Sequence, residues 1–293
     1  MTTLIRILSP DFLLHDALVG SVLVGAVCPL VGVYFVLRRM IFLGVALPQV
    51  SAAGIAASFL TYRIWIGTHQ QLDLSERVLA MLGSFAFTLG ALLVLAALER
   101  AGRETVEARI GFTYALAAAA TILFVAFDPH GEAQMVNLLK GDILATTGGS
   151  LSVLATVYGA VTVLLFVLRK EFLLVSFDRD LAVVFGKRAS AWDTVLYLLI
   201  GVTISLGVMT AGPLVTFGFL VVPPLTARLL TRRMTTFALG SAGLGGATAF
   251  AGFYAAYVLD LPLGPAQVAV ASIVFVLVGA ARLIARAGMR DAA

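Results

Sequence analysis

Long apolar runs recur along the chain, separated by short polar breaks. They read approximately as 14–37, 41–62, 78–98, 110–127, 151–168, 194–210, 212–230, 237–259 and 265–284. A bilayer core about 30 Å thick takes roughly 20 helical residues to cross, at about 1.5 Å each. The runs are apolar on every face rather than along one stripe. That pattern belongs to helices bathed in lipid and in one another, not to helices half-wetted at a soluble surface. The expected fold is all-α and polytopic, with eight or nine transmembrane helices forming a single domain over residues 1–293. The count turns on 194–210 and 212–230. Both are short and Gly212-Pro213 parts them, so they are either two spans or one broken unit.

Composition sharpens this picture. Hydrophobic residues make up 60% of the chain and charged residues 12%, with a mean hydropathy of +1.03. Charges within the runs sit only near their ends, at His15, Asp16, Arg228 and Arg282. No Asp, Glu, His, Lys or Arg occupies a run's interior, so the proton relay or charge pair of an ion-coupled carrier is missing. If a solute moves, the energy comes from elsewhere. The single cysteine, Cys28, excludes a disulfide framework or a cysteine zinc site within one chain. The first run continues past 20 residues without a small-residue cleavage site and reads as a retained span rather than a leader.

Charge placement gives orientation. Sixteen of the twenty Lys and Arg residues fall in one set of loops, from Arg38 and Arg39 through Arg169, Lys170, Arg179, Lys187 and Arg188 to Arg282, Arg286 and Arg290. Only Arg6, Arg63, Arg77 and Lys140 fall in the other set. By the positive-inside rule the C-terminus is cytoplasmic and, with nine spans, the N-terminus lies outside. The expected location is the inner cell membrane, multi-pass. Trp65 fits an interfacial anchor. Because the basic residues track the membrane ends, the pI near 9.5 reads as topology and not as nucleic-acid binding.

Two kinds of segment break the pattern. Residues 169–193, RKEFLLVSFDRDLAVVFGKRASAWD, form the longest cytoplasmic stretch, with Phe172, Leu173, Val175, Phe177, Leu181, Val184 and Phe185 set among charges. The stretch is too charged to span. It is either an interfacial helix on the lipid or a short helix that docks into a groove of a soluble partner. The other anomaly is proline inside spans. Pro48 lies about ten residues past Arg39, roughly 15 Å along a helix and near the bilayer midplane. It frees the carbonyl of Gly44, which another helix, Gln49, Ser51 or a water-filled path must satisfy. Pro223-Pro224 pose the same problem. Such helices are either kinked for packing or line a path. Gly240, Gly243, Gly245, Gly246 and Gly252 read as a tight packing face, with a dimer interface as the alternative.

Enzyme signatures are missing. No P-loop, H-E-x-x-H or G-x-S-x-G motif occurs, and His15, His69 and His130 show no metal-ligand spacing. The expectation is a protein that is not an enzyme and holds no covalent cofactor.

Several pieces, in order, resemble the permease subunit of the ABC transporter family that imports zinc, manganese or iron. VGVYFVLRRMIFLG at 31–44 is similar to the family's first-span exit and arginine-methionine turn. KGDILATT at 140–147 is similar to its gly-asp-ile-leu segment. SFDRDLAVVFGKRASAWD at 176–193 resembles its coupling helix, with the frame F-D-x-x-x-A-x-x-x-G falling on Phe177, Asp178, Ala182 and Gly186; Asp180 lies within it. GPLVTFGFLVVPPLTARLL at 212–230 resembles its pro-ala-ala-thr-ala-arg helix, with Leu225 where alanine is usual. YVLDLPLGPAQVAV at 257–270 resembles its turn into the last span.

The resemblance implies a metal-type ABC importer permease fold and a homodimer. It also implies a separate ATPase subunit, which binds ATP and grips the 169–193 coupling segment, and an extracytoplasmic solute-binding protein. Where the family usually reads asp-ala-leu-x-his-ser, this chain reads Val45-Ala46-Leu47-Pro48-Gln49-Val50. The gate positions Val45 and Gln49 therefore carry no carboxylate or imidazole, the groups divalent metals prefer. The expected path set is Gly44, Val45, Pro48, Gln49 and Ser51, with no secure metal ligand among them. The expected cargo is a divalent metal ion, with a metal chelate or small organic cofactor as the alternative. An ion-coupled carrier and a non-transport scaffold are more distant readings.

Overall fold

A computed structural model describes residues 14–66, 76–101, 106–127, 148–231 and 233–290. His69, His130, the 140–147 segment and the side chain of Trp65 lie outside the described residues. The described chain is helical, with no strand: α1 (His15–Leu37), α2 (Leu43–Ile66), α3 (Glu76–Ala101), α4 (Val106–Ala126), α5 (Gly148–Val167), α6 (Arg169–Phe177), α7 (Arg179–Val184), α8 (Ala189–Leu230), α9 (Met234–Leu259) and α10 (Leu263–Arg290). Eight of these are long and apolar enough to cross a membrane.

The eight-or-nine question resolves inside α8. Its 42 residues would reach about 63 Å if straight, twice a bilayer core. Gly212 interrupts it with φ 82° and ψ 164°, a backbone region open essentially to glycine alone. Pro213 then starts the second arm, where its fixed φ suits a first helical turn. Nine residues of straight helix span about 13.5 Å. Yet a Cβ on Gly207 would lie 3.0 Å from the side chain of Thr216. The two arms therefore fold back at Gly212. They run about 34 Å (189–211) and 27 Å (213–230) at the standard rise, each long enough to cross. Among the described residues, eight membrane-length helices thus give nine passes.

This hairpin is the centre of the molecule. It packs against α1, α2, α3, α9 and α10. The apolar windows of α1 and α8 are each 72% buried, and that of α2 is 67% buried, whereas that of α10 is only 6% buried. The inner helices are α1, α2 and α8, and the rest present apolar side chains outward, as lipid-facing helices do.

Glycines set the closest approaches. Gly32 of α1 lies against the Leu220 carbonyl of the second α8 arm, and Gly245 of α9 lies against the Gly25 carbonyl of α1. Much of the glycine stripe of α9 packs within the chain, chiefly on α1 through Gly245 and on α10 through Gly252, which faces Gln267, while Gly243 faces open space. On the first arm of α8, the Thr203 carbonyl accepts from the Tyr158 hydroxyl of α5 at 3.0 Å, and the Cys28 thiol meets that hydroxyl at 3.8 Å.

Candidate functional site

Two places carry the sequence-derived site residues. The first is the connection between α5 and α8. Leu168 parts α5 from α6 there, with φ −91° and ψ 12°. One face of α6 is apolar and packs onto the protein rather than onto lipid. Phe172 is fully buried, edge-on to Tyr34 of α1 at 5.9 Å and to Trp192 of α8 at 6.0 Å. Val175 packs with Ala182 and Ala189.

The frame read from the sequence divides into two kinds of residue. Asp178 has extended backbone (φ −149°, ψ 100°) and caps α7, its carboxylate accepting from the Leu181 amide at 2.9 Å. Ala182 is wholly buried. Gly186 ends α7 at φ +71°. Its amide donates to the Val183 carbonyl at 2.9 Å, and the Lys187 amide donates to that of Ala182 at 3.0 Å, the double closure of a Schellman end. These three residues build the turn. Phe177 does not: its ring is 64% exposed, and Leu181, Val183, Val184 and Phe185 stand exposed beside it. Asp180 is exposed too. The result is a rigid, cap-defined knuckle with an uncovered apolar tip, the usual form of a docking surface.

The knuckle is tied to the spans through Arg38, at the end of α1. Its Nε donates to the Ser176 hydroxyl at 3.0 Å. Its guanidinium pairs with Asp193 of α8 at 2.8 Å, with both side chains 12% exposed. It also lies 5.7 Å over the Tyr197 ring, within cation–π range. Sequence reasoning missed this link because it placed Asp193 in the connecting loop. In fact α8 begins at Ala189, and Asp193 lies one turn inside it and is buried. The signal was available: Ala189, Trp192 and Leu196 already carry helical spacing onto a buried face. The α1–α2 turn that presents Arg38 is tight. Arg39 takes φ 57°, uncommon for a residue with a side chain, and the Met40 amide reaches back to the Phe35 carbonyl at 2.9 Å.

The second place is the start of α2. The turn consumes Met40 to Phe42, so Pro48 lies only five residues, about 7.5 Å, into the helix. That is short of the midplane position expected from counting on from Arg39. The helix runs unbroken through Pro48, which is buried. Gly44 is buried, and a Cβ there would meet Val221 and Phe35 at 3.2 and 3.3 Å. Ser51 is fully buried and hydrogen-bonded to Ser84 of α3 at 2.6 Å, so it joins two helices. Val45 and Gln49 share one partly exposed face with Phe42, which is 65% exposed. The structure therefore separates the five: Gly44, Pro48 and Ser51 face inward, and Val45 and Gln49 lie on the surface of the single chain. Gln49 forms no hydrogen bond with the described residues. No three His, Cys, Asp or Glu side chains gather anywhere among the described residues.

A nine-pass helical bundle, with a helical hairpin at its centre and a capped, apolar-tipped knuckle on one end, defines a transport permease rather than an enzyme. The sequence matches the profile of the ABC 3 transport family over residues 11–282. The chain belongs to that family. It is 26% identical over 262 residues to the manganese transport system membrane protein MntC of Listeria innocua, covering 89% of this chain and 88% of that protein. It is 25% identical over 272 residues to a protein of Haemophilus influenzae described as a probable iron transport system membrane protein, covering 92% and 89%. Among solved structures it shares its fold with PsaBC of Streptococcus pneumoniae, solved with a Fab, at a TM-score of 0.79, 22% identity and 94% coverage of both chains. An inward-facing transporter described as of metal-chelate type matches at a TM-score of 0.71 and 15% identity, covering 90% of this chain and 84% of that one.

Proposed function

We propose that the chain is the membrane-spanning subunit of an ATP-driven importer that carries a divalent metal ion, zinc, manganese or iron, received from an extracytoplasmic binding protein. The observation that carries the coupling is the exposed tip formed by Phe177, Val184 and Phe185, held on a turn whose every other motif residue is spent on rigidity. An ATPase subunit gripping that tip moves α6. The motion reaches α1 and α8 through Arg38, Ser176 and Asp193. On this reading the knuckle end is cytoplasmic, the C-terminus lies on that side, and the protein sits in the inner cell membrane. The named manganese and iron relatives favour a metal cargo.

The path is formed between two copies of the chain, across the face carrying Val45 and Gln49. An amide left unpartnered in an apolar medium costs roughly 1–3 kcal/mol, and Gln49 has no hydrogen-bond partner among the described residues. Its face is therefore suited to a second copy or to a wet path, and poorly suited to lipid. The same residues favour a second reading, a metal chelate. A neutral amide and a valine offer no strong ligand to a bare divalent ion, while a neutral surface passes a ligand whose charge is already satisfied.

The test is uptake. The permease is reconstituted with its ATPase and binding protein, and accumulation of radioactive manganese, zinc and iron is followed with and without ATP. ATP-dependent accumulation of at least one bare ion supports the metal reading. Accumulation only of chelated metal replaces it with the second. Phe177→Asp leaves the melting temperature near the wild-type value, because the ring is exposed, but abolishes uptake and uncouples ATP hydrolysis from it. Wild-type uptake in that variant removes the knuckle from the mechanism.

A further inference from the structure

A groove of about 210 Å³ opens on the knuckle end between α1, the α5–α6 junction and the first turn of α9. Its walls are Leu30, Val33 and Tyr34 on one side, Leu165, Phe166 and Leu173 on another, and Met234 and Ala238 on the third. At its rim stand Arg169 and Lys170, both exposed. Neither forms an ion pair among the described residues, whereas Lys187 nearby is paired with Glu171 at 3.9 Å. Among the described residues no acidic side chain lines the groove. Leu165 lies in the last turn of α5 and Arg169 opens α6, on either side of the break at Leu168. The basic rim is therefore at the level where the run of apolar side chains ends, which in a bilayer is the headgroup level.

We propose that this groove binds one anionic phospholipid of the surrounding leaflet, with an acyl chain against Leu30, Val33, Leu165 and Ala238 and the phosphate at Arg169 and Lys170. Charge complementarity selects the occupant. Two unpaired cations over an apolar slot at the membrane end match a headgroup that is negative and a tail that is not, the pattern of basic interhelical pockets that hold acidic lipids. A neutral lipid satisfies the slot but leaves both cations unanswered. A soluble anion satisfies the cations but leaves the slot empty. The site also adjoins the coupling element, because Arg169 and Lys170 are the first two residues of α6 and Leu173 is on its inner face. A lipid seated there fills the space between α6 and α9 and sets how far α6 moves.

The full-length permease is purified and incorporated into nanodiscs of equal phosphatidylglycerol and phosphatidylcholine. Co-purifying lipid is then counted by native mass spectrometry after mild detergent extraction. The wild type retains one phosphatidylglycerol in about thirtyfold preference over phosphatidylcholine, the scale set by two basic residues near an anionic surface at about 1 kcal/mol each. Arg169→Gln/Lys170→Gln loses that preference. Arg188→Gln/Lys187→Gln, which removes the same charge outside the groove, keeps it. Ala238→Phe, which fills the slot and leaves both cations, also loses it. Equal retention of the two lipids by the wild type overturns the proposal, and so does a loss in the Arg188/Lys187 variant as large as in the Arg169/Lys170 variant. Displacement of the retained lipid by glycerophosphoglycerol, a headgroup without chains, at concentrations near that of the lipid overturns the acyl slot. Failure of any of these leaves the uptake reading intact, since none depends on the cargo.

Discussion

The Arg38–Asp193 pair offers the most direct measure of how the knuckle is joined to the spans. Asp193→Asn leaves the guanidinium of Arg38 without its charge partner in a site where both side chains are only 12% exposed. Breaking one side of a buried pair costs about 3–5 kcal/mol, whereas replacing both sides with well-packed apolar groups is often close to neutral. Arg38 keeps two other contacts, the Ser176 hydroxyl at 3.0 Å and the Tyr197 ring at 5.7 Å, so the low end applies, about 3 kcal/mol. With a shift of about 2–4 °C per kcal/mol for chains of 150–250 residues, Asp193→Asn should lower the melting temperature in nanodiscs by about 6–12 °C. Arg38→Met/Asp193→Leu should recover most of that loss, and so be less destabilised than the Arg38→Met and Asp193→Leu single losses added together. The two variants should differ less in transport. Both cut the tie between α6 and α8, so both should lower the uptake obtained per ATP hydrolysed. If Asp193→Asn melts like the wild type, or if the double variant loses the sum of the single losses, the pair carries no net energy and the link reasoning fails. If the double variant transports at full coupling, the link is structural only.

Three other outcomes test separate parts of the structure. In a Cys28→Ser background, cysteines at Ser190 and Leu261 should react with a membrane-impermeant maleimide from opposite faces of the membrane; labelling of both from one face breaks the nine-pass topology. Gly212→Ala forces a side chain into φ 82° and should cost about 1–3 kcal/mol, seen as a lower melting temperature, whereas Gly279→Ala, with open space around it, should cost little. Val45→Asp/Gln49→His should create manganese binding measurable by calorimetry, together with slower uptake, if bare metal passes that face; if calorimetry finds no binding, the two side chains do not converge on a path.

How much of this was legible in the sequence depends on which force sets each feature. The spans were readable because lipid demands uniformly apolar helices, and a run of that kind has few alternatives. Gly212-Pro213 marked the elbow, but whether it makes a kink or a reversal depends on the contact between Gly207 and Thr216, which no local pattern encodes. The coupling frame was visible as a string. Only the structure divides it into Asp178, Ala182 and Gly186, which shape the turn, and Phe177, which the turn leaves bare. Arg38 was read as a topology signal and Asp193 as the end of the connecting segment. Their pairing joins residues 155 positions apart, and neither residue announces the other.

The start of α2 shows the same limit from the opposite side. Periodicity four placed Val45 and Gln49 on one face, and the structure keeps them together on a surface the chain does not cover. It also moves Ser51 away, because a hydroxyl in an apolar bundle pairs with the nearest polar group, here Ser84 of α3. The residues that remain uncovered are thus the ones whose meaning lies in another molecule. Phe177 at the knuckle, Gln49 on the open face, and Arg169 with Lys170 at the groove have this in common. Each is costly or idle in the single chain, and each stands beside neighbours already committed to packing. In a chain so fully packed, an uncommitted side chain of this kind marks where a partner, a path or a lipid supplies the missing half of the interaction.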